Sequence, residues 1–190
     1  MRPKTGAPRR VRGRKSGSAS AAPSKGQLIT GIIVIACVIG FYAYKYWNEE
    51  PQAPIVGKAW VIDGDTIVIS EMHIRLQGID APESEQTCLD AKGSGWACGK
   101  MAASALREHI RGRELTCQRK ALDKYKRVIA VCTLPDGSDL NAWLVQQGWA
   151  VAFGFAGTYE AEEAKARDAK RGIWAGTFVT PSRWRQGQNE

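Results

Sequence analysis

Between Ile55 and Ile79 the chain passes through three β-branched stretches with almost nothing between them. Ile55 to Ile62, Thr66 to Ser70 and His73 to Ile79 read as strands, joined by turns at Asp63-Gly64 and Glu71-Met72. A meander of this kind commits the chain to a sheet. Two more strands, Glu114 to Arg119 and Arg127 to Thr133, come after a helical pattern from Gly99 to Arg111 that stops at Gly112. That helix sets Ala102, Ala105, Leu106, His109 and Ile110 on one side, with His109 as a half-buried packing residue. Asn141 can cap a second helix running to Gln147, and a third, Thr158 to Arg171, places acids early and bases late, as the helix dipole favours. The expected fold is mainly β with α: a five-stranded Greek-key barrel of the oligonucleotide-binding type (OB-fold) with three helices.

Net charge is +8, but it is unevenly spread. Residues 1–27 hold eight cations and no acid, whereas from Pro51 onward 18 basic residues face 17 acidic ones. The high isoelectric point therefore belongs to the tail, and a nucleic-acid role for the domain must rest on particular residues. Between tail and domain, Leu28 to Tyr44 is largely apolar and without formal charge. Extended through Trp47 it spans about 20 residues, or roughly 30 Å as a helix, the thickness of a bilayer core. Its C-terminal end is rich in aromatic residues, and most cations precede it. The expectation is a single-pass anchor in the inner (plasma) membrane, N-terminus cytoplasmic and domain periplasmic or extracellular. A cleaved signal peptide would want a shorter apolar core with a small-x-small site after it, and a lipoprotein signal at Cys37 would turn polar where this run stays apolar, so both fit less well. The boundaries read as a basic disordered tail at 1–27, the anchor at 28–47, a linker at 48–54, the folded domain at 55–180 and a C-terminal tail at 181–190.

Three clusters in the domain carry chemistry: Asp63-Gly64-Asp65-Thr66, Arg75 with Asp80-Ala81-Pro82-Glu83, and Asp123-Lys124-Tyr125-Lys126-Arg127. Hydrolysis of a phosphodiester needs a placed water and neutralisation of charge on the phosphoryl oxygens. A hard cation helps with both and takes oxygen ligands, which Asp65, Asp80 and the main-chain carbonyl of Ala81 can supply. Glu83 can hold or deprotonate the water, and Arg75 and Arg127 offer planar forks for phosphate oxygens. Singly each piece is common: Asp-Gly is usually a hairpin turn, and a strand arginine usually faces water.

Taken together, Asp63 to Thr66, Arg75 to Glu83 and Asp123 to Arg127 resemble the staphylococcal nuclease (thermonuclease) family, and Leu144 to Gly148 and Lys170 to Trp174 extend the likeness. The resemblance covers roughly Ile55 to Trp174. It implies Ca2+-dependent cleavage of DNA and RNA leaving 3′-phosphate ends. Its calcium ligands fall on Asp65, Asp80 and the Ala81 carbonyl, its phosphate-binding arginines on Arg75 and Arg127, and its water-activating carboxylate on Glu83. Lys124 and Tyr125 match its nucleotide-contacting pair. Phe153 and Phe155 fall where tyrosines near the nucleotide are usual, and Lys126 stands where glycine is usual. If that turn needs φ > 0, lysine there costs on the order of 1 kcal/mol.

Cys37 lies in the apolar run; Cys88, Cys98, Cys117 and Cys132 lie in the domain, with no CxxC and only two histidines in the chain. A zinc site is disfavoured, and an even count in an exported domain favours disulfides. The expected pairs are Cys88–Cys98 and Cys117–Cys132, the alternative being four reduced, packed thiols. The leading function is a membrane-anchored, metal-dependent endonuclease whose partners are nucleic acid and the membrane, with no obligate protein partner. The alternatives are a catalytically silent nucleic-acid- or protein-binding module and a structural calcium site.

Overall fold

The computed structural model describes residues 25–47, 52–154 and 158–188, in two separate units that meet the sequence at about Pro51. The described residues of the first unit form one helix, α1 (Lys25–Trp47), whose apolar Ile32, Ile33, Val34 and Ile35 are all exposed. The expected helix is therefore present. Among the described residues, however, no helix is long and apolar enough to cross a membrane, so the span itself is not shown. The basic tail at 1–24 and linker residues 48–51 lie outside the described residues.

In the second unit, β1 (Ile55–Lys58), β2 (Trp60–Val61), β3 (Thr66–Ile69) and β4 (Met72–Leu76) are followed by β5 (Ile79–Asp80), β6 (Cys88–Leu89) and β7 (Gly95–Trp96). Then come α2 (Cys98–Ile110), β8 (Glu114–Leu122), β9 (Val128–Thr133), α3 (Leu140–Gln146), β10 (Val151–Ala152), α4 (Glu160–Asp168), a 3-10 turn (Gly172–Ala175) and α5 (Pro181–Trp184). The main sheet runs β1-β8-β9-β4-β3-β2. Because β1 and β2 are one continuous stretch, broken only at Ala59, the two ends of that order are the same chain segment and the sheet closes. Counting β1 and β2 as one strand leaves five, with β4 and β9 parallel and the other neighbours antiparallel, the order of the expected Greek-key barrel.

Period-two burial fills the barrel. Val128, Ala130 and Cys132 point inward along β9, and Ile67, Ile69, Ile74 and Leu76 do so from the β3–β4 hairpin. Ala103, Leu106 and Ile110 of α2 and Leu140, Leu144 and Val145 of α3 pack into the same core. His109 stacks flat on Trp143, centroids 3.6 Å apart, a packing role as the sequence implied. Both expected disulfides form. Cys117 and Cys132 are direct cross-strand partners on β8 and β9, and Cys88–Cys98 ties β6 to the start of α2.

Several boundaries differ from those expected: the strand expected at His73 to Ile79 splits into β4 and β5, and the one expected to end at Arg119 runs on to Leu122. The first strand breaks in two because β1 pairs with β8 while β2 pairs with β3. The turn expected at Glu71-Met72 lies one residue earlier: Ser70 and Glu71 carry the positive φ values, 48° and 65°, that a tight hairpin needs. Asn141 does not cap α3; Asp139 does, accepting from Ala142 N at 2.9 Å. Buried Asn141 instead ties three segments, donating to Gln77 O and Ala130 O and accepting from Cys132 N. The helix expected at Thr158 to Arg171 is confined to Glu160–Asp168.

Candidate active site

The Asp-Gly turn aims Asp65 into the protein. Ile62 N and Asp63 N both donate to Thr66 O, and Asp63 Oδ1 accepts from Asp65 N at 3.0 Å, closing a local side-chain turn. Gly64 is required here: a Cβ would lie 2.6 Å from the Ala81 Cβ, so its absence lets this turn lie against the Asp80-Ala81 segment. Thr66 pairs with Arg75 across the β3–β4 hairpin, which sets Arg75 beside Asp65. Asp80 follows Arg75 five residues later on β5, held by pairing with Val151 of β10.

Arg75 joins the two carboxylates. Its Nη1 donates to Asp65 Oδ1 and its Nη2 to Asp80 Oδ1, both at 2.9 Å. Asp65 also accepts from Thr66 Oγ1 (3.0 Å) and from Ala81 N (3.2 Å), while Asp80 has no solvent exposure at all. Burial pushes the Asp65 carboxyl up to about 7; Asp63 and Asp80 push the same way, and the Arg75 guanidinium and the Ala81 N–H oppose them. The site is thus a buried pair of carboxylates bridged by the Arg75 fork.

Glu83 sits on the loop after Asp80. Its N–H donates to Gln86 Oε1, and Gln86 Nε2 donates to Val179 O at 2.7 Å, so the buried Gln86 staples this loop to the C-terminal segment. Gly99 of α2 lies directly against the Glu83 carbonyl, 1.7 Å from where a Cβ would be, and the Cys88–Cys98 bond fixes the same corner. The Glu83 carboxylate itself is bound by Arg185, whose Nη1 is 2.7 Å from Oε1. Arg185 also grips both oxygens of Asp80, Nη1 to Oδ1 at 2.9 Å and Nη2 to Oδ2 at 3.0 Å. Residues 181–190, read from sequence as a tail, therefore contain a short helix and a site residue that sequence reasoning missed. Nothing local marks Arg185; its partners lie 105 and 102 residues away.

The third cluster forms the turn between β8 and β9. Asp123 Oδ1 accepts from Tyr125 N and Arg127 N, and Arg127 Nε donates to Asp123 Oδ2 at 2.7 Å. These hydrogen bonds hold the Asp123 carboxyl below the ordinary range despite the opposing pull of desolvation. Lys126 has φ +65°, so the turn does need the left-handed conformation anticipated for it. Tyr125 is exposed, with Lys124 Nζ 4.9 Å and the Arg127 guanidinium carbon 5.5 Å from its ring centroid. Arg127 precedes Val128, which pairs with Ile74 on the strand carrying Arg75, but no ion pair joins Arg127 to Asp65 or Asp80. Phe153 is half exposed and lines a cleft of about 310 Å3 with Arg75, Gln77, Gly78, Ile129 and Thr158. Phe155 lies outside the described residues.

The donor set suits a hard cation. Asp65, Asp80 and the Ala81 carbonyl are all oxygen donors, and the two buried carboxylates bond two guanidinium groups, Arg75 and Arg185. Among the described residues no cluster of three or more His, Cys, Asp or Glu side chains is arranged as a ready cage.

A model of the staphylococcal nuclease homologue family matches residues 73–176. The chain is 40% identical over 124 residues to the succinoglycan biosynthesis protein ExoI of Rhizobium meliloti (strain 1021), covering 64% of this chain and 65% of that one. It is 30% identical over 145 residues to a micrococcal nuclease of Shigella flexneri, with 66% and 77% covered. An uncharacterized endonuclease of Escherichia coli is 29% identical over 133 residues, with 66% and 80% covered.

Proposed function

Because the chain belongs to the staphylococcal nuclease homologue family and is a nuclease hydrolase, we propose that it cuts phosphodiester bonds of DNA, RNA or both with a single hard cation, Ca2+, held by Asp65, Asp80 and the Ala81 carbonyl. The observation that carries this reading is the Arg75 fork spanning two buried carboxylates within one small cluster. When bound, the cation supplies positive charge for the phosphoryl oxygens and a site for water. Arg75 stays beside it and offers N–H groups to a non-bridging oxygen as charge grows there. Arg127, on the β8–β9 turn, is the second fork; its Nε is already committed to Asp123, which fixes the plane that its terminal nitrogens present. Glu83 takes the proton of the attacking water. Tyr125, Lys124 and Phe153 give the bases rings to stack on and a cation for the backbone.

We also place the protein at the inner (plasma) membrane with its domain outside the cytoplasm. Two disulfides suit an oxidising compartment, and α1 exposes apolar side chains all round. Fractionation of cells with protease added outside tests this; a domain found in the cytosol would refute it.

Incubating the protein with single- and double-stranded DNA and RNA, with Ca2+ or with chelator, tests the chemistry. Cleavage should need the cation, and Glu83→Ala and Arg127→Ala should each lower the rate by at least about 100-fold. Wild-type rates in both variants would overturn the assigned roles, and binding without cleavage would mark the silent module instead.

A further inference from the structure

We propose that Arg185 competes with a divalent ion for Asp80 and Glu83, a side-chain plug that must leave them before the ion can be held, so that the C-terminal segment sets the concentration of cation the enzyme requires. The inference rests on the metal-dependent reading of the Asp65–Asp80 site. A carboxylate has about four lone-pair positions. On Asp80, Oδ1 already receives Arg75 Nη2 and Arg185 Nη1, and Oδ2 receives Arg185 Nη2. Arg185 Nη1 also takes Glu83 Oε1, the carboxylate assigned to the attacking water. Three of the roughly four positions on Asp80 are thus taken; a guanidinium offers only donors where a hard cation needs oxygen lone pairs, so the two compete at Asp80. Arg75 does not compete in this way, because it reaches only one oxygen of each aspartate.

The charges point the same way. With all three ionised, Asp65, Asp80 and Glu83 carry three negative charges, and Arg75 alone would leave the cluster two charges short of neutral. Arg185 supplies one of these, and a divalent ion in its place would supply both.

The segment is also built to let go. Its last buried residue is Pro181, and the Gln86 staple acts at Val179, both before Arg185. Past them, the backbone bonds of 183–188 close within the segment itself, and the Arg183 side chain bonds Gln188. Arg185 can therefore swing out without opening the barrel. It also lies beyond residues 73–176, so nothing in the family match assigns it a role.

The rival reading is a third phosphate-binding fork, and it makes the opposite prediction for metal affinity. Ca2+ affinity of the full chain, purified in detergent and without nucleic acid, is measured by calorimetry for the wild type, Arg185→Ala, Arg185→Lys and the neighbouring control Arg183→Ala. Hydrogen exchange of residues 181–188 is followed with and without Ca2+. Arg185→Ala should bind Ca2+ about fivefold to tenfold more tightly, with Arg185→Lys in between and Arg183→Ala like the wild type. Exchange in 181–188 of the wild type should quicken when Ca2+ binds. Equal or weaker affinity in Arg185→Ala, or unchanged exchange with Ca2+ bound, would overturn the plug while leaving the metal site standing. Failure of every variant to bind Ca2+ would remove the metal site and the plug together.

Discussion

Arg75→Ala removes the one side chain that touches both buried aspartates, and its cost can be worked from the contacts. Two hydrogen bonds of 2.9 Å disappear, to carboxylates whose side chains are 5% and 0% exposed. Removing one partner of a fully buried pair costs about 3–5 kcal/mol, mostly as the penalty of the charge left behind. Arg75 is itself 21% exposed and Arg185 remains on Asp80, so the lower end applies, about 3 kcal/mol at pH 8.

The same substitution at pH 5 should cost less, and the sign follows from Asp65. Burial lifts its carboxyl from 3.8 in the unfolded chain to about 7 in the folded one, so the folded state binds the proton more tightly. Its contribution to stability is fully present below pH 3.8 and is lost as pH rises through about 7. Arg75 opposes that shift, so the variant holds the proton to still higher pH. At pH 5 its Asp65 is neutral, and the loss should shrink to about 1 kcal/mol, the worth of the hydrogen bonds alone. Urea unfolding followed by tryptophan fluorescence in chelator, at both pH values, measures the difference. Adding Ca2+ should restore part of the loss at pH 8 and little at pH 5, because a neutral carboxyl is a poor ligand. A loss equal at the two pH values would show that Asp65 does not carry the charge argued here.

Three further outcomes follow from single residues. Lys126→Gly should raise stability by about 0.5–1 kcal/mol in thermal melts, since Lys126 sits at φ +65° where a side chain is strained. Asn141→Ala should lower it by about 3 kcal/mol in urea, leaving Cys132 N without its partner and the Gln77 carbonyl without its donor. Thiol titration of the unfolded, unreduced chain should find one free thiol, Cys37, and reduction of Cys117–Cys132 should cost about 3 kcal/mol.

What could be read from the sequence was what local chemistry decides. The β3–β4 hairpin, β9 and α2 declared themselves through period and turn residues, which need no distant partner. The hairpin turn and the ends of α4 are misplaced by a few residues, but the larger misreadings fall where a distant partner decides. Ala59 breaks the first strand because the chain changes partner there, from β8 to β3. Asn141 looks like a cap in any local window, and only the arrival of Gln77, Ala130 and Cys132 around it makes it a buried cross-link.

The site divides along the same line. Asp65, Arg75 and Asp80 each sit at a turn or strand end whose sequence has to be specific for the group to point inward, so they leave a signature. A counter-cation is under no such demand, because any guanidinium within reach satisfies the same charge. Arg183 and Arg185 stand two residues apart in the same short polar stretch, yet one bonds Gln188 and the other grips Asp80 and Glu83. What separates them is the direction in which one turn of helix, pinned at Pro181 and Val179, happens to aim each side chain. A window of neighbouring residues does not contain that direction, because it is set by where the staple at Gln86 holds the segment against the barrel.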